Sequence, residues 1–114
     1  MNIQIYCGKK NFDTQKAERF FKERRVPYHL VDLSRHRLGT REIDLFASKC
    51  GVKQLLDMNS ARVKEHPAAY CGDDDRIREY LIGDPSLMRL PIVRNERQIT
   101  FGADEKTWAA WLQG

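Results

Sequence analysis

Hydrophobic and polar positions alternate over residues 2–6, with Ile3, Ile5 and Tyr6 supplying the β-branched and aromatic side chains of a short strand. The period then changes. Ala17, Phe20, Phe21 and the aliphatic stem of Arg24 fall on one face of a helix, and Asp13 or Thr14 is placed to cap its first turn. Gly8 relieves the backbone of the loop between them. Pro27 disfavours helix at the residue before it, and Tyr28 to Leu33 reads as a second strand. A strand, helix and strand of this length imply a parallel pair.

The middle of the chain is helical in pattern. Ser34 to Leu38 is a polar, basic loop, after which Thr40 caps a helix whose apolar positions are Ile43, Leu45, Phe46 and Cys50. Gly51 stops that helix, and Val52 to Leu56 starts a shorter one. Another short helix follows Asp57 to Arg62 and is limited by Pro67. Asp73, Asp74 and Asp75 precede a helix with Ile77, Tyr80, Leu81 and Ile82, so they read as caps and dipole partners rather than as a metal site. Pro85 to Met88 forms one further turn.

The end of the chain returns to strands. Arg89 to Arg94 is a strand entered through Pro91, Asn95 to Arg97 a tight turn, and Gln98 to Phe101 the returning arm of a hairpin. Asp104 caps a last helix carrying Trp108, Trp111 and Leu112. The order predicts an α/β fold: a thioredoxin-like mixed four-stranded sheet with flanking helices and a helical insertion. It is expected as one domain over 1–114, with halves at about 1–33 and 89–114 and the insertion at about 39–88.

Composition narrows the classes. A chain of 114 residues supports one modest core. It has no apolar run long enough to cross a membrane and no signal-peptide pattern, so a cytoplasmic location is expected. Cys7, Cys50 and Cys71 are odd in number and widely spaced, which suits a reduced setting and offers no zinc-ligand spacing. No metal site is expected. Residues 1–41 hold ten Lys/Arg against four Asp/Glu, net +6, and the remainder nets −2. A solvated basic face explains this, and an anionic partner is the alternative. His29, His36 and His66 lie beside no nucleophile and read as surface or satisfied residues.

Three blocks resemble the ArsC/Spx family of arsenate reductases, Spx-type regulators and their relatives. They are Ile5-Tyr6 with the loop into Asp13-Thr14-Gln15-Lys16-Ala17, then Pro85 to Val93, then Phe101-Gly102. The resemblance runs over nearly the whole chain and implies an ArsC-type insertion in a thioredoxin-like fold. It also implies that Pro91 is cis and faces the active loop. The family's nucleophilic cysteine, five residues after the strand tyrosine, falls on Asn11, and the second cysteine of CxxC members falls on Thr14. A one-residue slip would put Phe12 there, and neither choice restores a thiol. Leu90 stands where arsenate-reducing members have arginine before the proline, with Arg89 one residue earlier. Gly102 takes the place of their last oxyanion-binding arginine, and Arg62 is the nearest basic candidate for the middle one.

The resemblance therefore implies an arsenate reductase-related protein of the thiol oxidoreductase lineage that lacks the family thiol and works by binding or regulation. Arsenate reduction itself is not expected. One alternative is a thiol-disulfide oxidoreductase, glutathione-dependent, that uses Cys7 with Lys9, Lys10 and the helix end lowering its pKa. The bland reading of Cys7, an inert thiol, is preferred. Another alternative is a Spx-like regulator that binds RNA polymerase. No cofactor is required, although glutathione fits the lineage. The partner is a small thiol or a protein, without membrane or sequence-specific nucleic-acid binding.

Overall fold

The computed structural model describes residues 1–8 and 11–113. The chain divides into two compact units, Met1–Asp32 with Leu90–Gly114, and Leu33–Arg89.

In the first unit, β1 (Ile3–Cys7), α1 (Phe12–Glu23), β2 (Tyr28–Asp32), β3 (Ile92–Asn95), β4 (Gln98–Phe101) and α5 (Glu105–Gln113) follow in chain order. The sheet order is β2-β1-β3-β4. β1 pairs in parallel with β2, setting Ile3 opposite Tyr28 and Cys7 opposite Asp32. It pairs antiparallel with β3, and β3 with β4. The mixed four-stranded sheet expected from the sequence is the one observed. β1 and β3 are its interior strands, and Ile3, Ile5, Tyr6 and Cys7 of β1 are all buried.

The core of this unit joins Ile3 and Ile5 to Ala17, Phe20 and Phe21 of α1, to Val93 and to Trp108 of α5. Trp108 lies edge-on to Phe20 at 5.4 Å between ring centroids, and its indole Nε1–H donates to Thr100 Oγ1 at 2.8 Å. That bond satisfies a polar atom which would otherwise be stranded in the core. The expected apolar face of the last helix is therefore uneven, since Trp111 and Leu112 are only partly buried beside Trp108. Asp104 caps α5 as expected, its Oδ1 accepting from Thr107 N–H at 3.2 Å.

The start of α1 differs from the sequence reading. The cap is Asn11, not Asp13 or Thr14: Asn11 is extended, and its Oδ1 accepts from Thr14 N–H at 2.7 Å. Asn11, Asp13 and Thr14 all have capping chemistry, so local sequence does not choose among them. β3 also begins later than expected, at Ile92, and the Leu90–Pro91 peptide before it is cis.

The second unit is helical: α2 (Thr40–Cys50), α3 (Ala61–Lys64) and α4 (Asp74–Gly83), with 3-10 turns at Lys53–Leu55, Pro67–Tyr70 and Pro85–Leu87. Ile43, Phe46, Leu55, Leu56, Val63, Ile77, Leu81 and Leu87 are buried. Arg78 of α4 pairs with Asp44 of α2 at 2.8 Å. Leu56 and Met88 form an antiparallel bridge, and Arg89 N–H donates to Leu55 O at 2.8 Å. The cap of α2 is Gly39 rather than Thr40, which moves Glu42 to the third helical position. There its Oε1 accepts from Gly39 N–H at 3.1 Å, half of a capping box whose other half needs a side chain that glycine lacks. Asp73 caps α4 as expected, accepting from Asp75 N–H at 3.0 Å.

Candidate functional site

A strand that runs directly into a helix N-terminus brings the loop after β1 beside free backbone amides and the positive end of a dipole. In this chain the residues that close the loop are Gly8, Asn11 and the Leu90–Pro91 pair. Asn11 uses both ends of its amide: Oδ1 accepts from Thr14 N–H, and Nδ2–H donates to Leu90 O at 3.2 Å. The first bond completes the helix, and the second ties it to the residue ahead of the cis proline. A Cβ added to Gly8 would lie 3.1 Å from Leu90 Cδ1, so the loop passes too close to Leu90 for a larger residue without movement. Pro91 is buried, and its carbonyl accepts from Gly102 N–H at 2.9 Å. Gly102 has φ +70, a conformation that favours glycine, and a Cβ there would meet Asp13 Oδ2 at 3.6 Å.

Two neighbours of Asn11 were not singled out by sequence reasoning as site residues in their own right. Phe12, the first residue of α1, is 82% exposed. Thr14 is buried, and its Oγ1 has no hydrogen-bond partner among the described residues. Phe12 breaks the apolar periodicity of α1, which was the one signal of its position.

Cys7 closes β1 rather than lying in the loop. It is 9% exposed, and its Sγ lies 3.8 Å from Val31 O as a weak donor. Burial pushes the thiol pKa up, and the Asp32 and Glu18 carboxylates push it further the same way. Cys50, at the end of α2, is also raised by burial, with Arg89 acting in the opposite direction. A raised pKa keeps the thiolate, which is the reactive form, scarce. Lys9 and Lys10, candidates for lowering the pKa of Cys7, lie outside the described residues.

Arg62 and Arg89 belong to the second unit, and both are engaged there. Arg62 donates to Ser86 Oγ at 2.8 Å and to Asp84 Oδ2 at 2.5 Å. The Asp84 carboxyl is held below its ordinary range by hydrogen bonds from Ser86 and then by Arg62. Arg89 Nη1 lies 3.5 Å from Gln54 O. Of the histidines, His66 accepts through Nδ1 from Ala68 N–H at 3.0 Å and stands edge-on to Tyr80. Among the described residues, no group of three or more His, Cys, Asp or Glu side chains could hold a metal ion. Among the described residues, no helix is long and apolar enough to cross a membrane. An open groove of about 480 Å³ along α1 is lined by Gln15, Glu18, Arg19, Lys22 and Glu23, and includes neither Gly8 nor Asn11.

No protein-family model matches the chain, and no curated protein matches it. Solved structures do. An arsenate reductase from Vibrio cholerae superposes with a TM-score of 0.82 at 15% identity, covering 96% of this chain and 97% of that one. A protein from Staphylococcus aureus gives 0.78 at 23% identity, over 95% and 96%. An arsenate reductase (ArsC) related protein from Brucella melitensis gives 0.72 at 20% identity, over 100% and 97%. At these identities the likeness is one of fold. The chain has the thioredoxin-like α/β fold, a mixed four-stranded sheet with flanking helices, that these arsenate reductase-related proteins also have.

Proposed function

We propose that this chain is an arsenate reductase-related protein of the ArsC/Spx type that works by binding and not by thiol chemistry. The observation that carries the reading is Asn11. The family resemblance assigns its position to the nucleophilic cysteine, and here its side chain is occupied at both ends, by the α1 amide and by Leu90 O. An amide forms neither a thiolate nor a mixed disulfide. The loop keeps its other features, with glycine against Leu90, a helix N-terminus and a cis proline. The partner this reading names is a small thiol such as glutathione, or a protein segment, held without a covalent step.

The reading is tested by assaying arsenate and disulfide reduction, with glutathione as reductant, for the wild type and Cys7→Ser. Neither is expected to turn over. Turnover by the wild type that disappears in Cys7→Ser would instead make Cys7 a nucleophile and the chain an oxidoreductase.

A further inference from the structure

The segment that leads into α2 is dense in positive charge. Arg35, His36 and Arg37 are consecutive and exposed, and Arg41 is exposed in the first turn of α2. The two carboxylates nearest in sequence within the same unit are committed elsewhere. Glu42 accepts from Gly39 N–H, and Asp44 pairs with Arg78 of α4 at 2.8 Å. Among the described residues, no ion pair or hydrogen bond involves the side chains of His36, Arg37 or Arg41. Arg41 also stands at the end of a helix where the dipole disfavours a cation. A bound anion would offset each of these features.

The chemistry of the patch indicates which anion. Its strong charges are guanidinium groups, whose planar forks match phosphate oxygens in pairs. It offers no exposed apolar anchor, because Leu38, the one apolar residue of the segment, is 3% exposed. A protein interface ordinarily has an apolar centre, whereas a nucleic-acid backbone asks only for cations along its phosphates. No Phe, Tyr or Trp interleaves the arginines, and His36 is the one ring among them, so there is no extended platform for stacking unpaired bases.

We infer that the loop from Arg35 to Arg41 is a docking surface for the phosphate backbone of duplex nucleic acid, without sequence preference. It lies within the second unit and is independent of the reading given to the loop after β1.

The test is fluorescence anisotropy of a short labelled DNA duplex with the full chain, repeated between about 50 and about 200 mM salt. Wild type is compared with the double variant Arg37→Gln/Arg41→Gln and with Lys49→Gln/Lys53→Gln. Both variants remove two exposed cations from the second unit. Each lost phosphate contact lowers the slope of log affinity against log salt by about 0.9, so the arginine variant is expected to lose about 1.8 in slope. The lysine variant is expected to match the wild type. Absence of binding at the lower salt, or equal losses in the two variants, would overturn the inference. So would binding to phosphatidylserine vesicles without binding to DNA, since the phosphate would then be a lipid headgroup.

Discussion

Asn11 joins two pieces of backbone, Thr14 N–H on its own helix and, 79 residues along the chain from Asn11, Leu90 O ahead of the cis proline. Replacing it with alanine removes the cap and leaves Leu90 O without that donor. Asn11→Ala is expected to cost about 1–2 kcal/mol of stability, read from the urea midpoint. Asn11→Asp keeps an acceptor for Thr14 N–H but loses the donor to Leu90 O, so it should lie between alanine and the wild type. An unchanged midpoint in Asn11→Ala would mean that another group takes over the cap. The family resemblance singled out this position in the sequence, yet the bonds its side chain makes were not legible there. Three capping residues lie within positions 11–14, and the choice among them depends on a carbonyl far along the chain. Arg62 was legible only as a charge, and its partners Asp84 and Ser86 are 22 and 24 residues away.

Elements were easier to read than their ends. Alternation gave β1, and the 3.6-residue period gave α1, because burial of one face selects for both patterns; β2, read from the strand-forming residues after Pro27, has no residue fully buried. The C-terminus of α1 shows what a pattern of apolar residues omits. Val26 N–H donates to Phe21 O at 2.9 Å and Arg25 N–H to Lys22 O at 3.1 Å, a Schellman closure with Arg25 at φ 56. An arginine there adopts a left-handed conformation that suits glycine. Arg25→Gly is therefore expected to stabilise the protein by about 1 kcal/mol, measured as a higher urea midpoint at unchanged slope. Pro27 had been given the role of ending the helix. The closure two residues earlier already does so. The first strand after the insertion was likewise placed too early, since proline lacks the N–H that a ladder needs and pairing starts only at Ile92.

At the scale of the whole molecule, the chain keeps the sheet order of a thioredoxin-like fold while its cysteines lie outside the loop that such a fold presents. Cys7 ends a buried strand, and Cys50 ends a helix in the other unit. Burial raises both thiols. The sign of the consequence is fixed. A thiol raised in the folded state contributes stability fully below its unfolded value of about 8.5, and the contribution is lost as pH rises through the higher folded value. The same shift governs reactivity, because alkylation consumes the thiolate. The most direct measurement is the rate of iodoacetamide alkylation of Cys7 against pH in the folded protein, with mass spectrometry assigning each cysteine. A slow reaction with a midpoint above about 8.5 is expected if the scaffold is without thiol chemistry. A fast reaction with a midpoint well below that value would contradict the binding account and make Cys7 a relocated nucleophile.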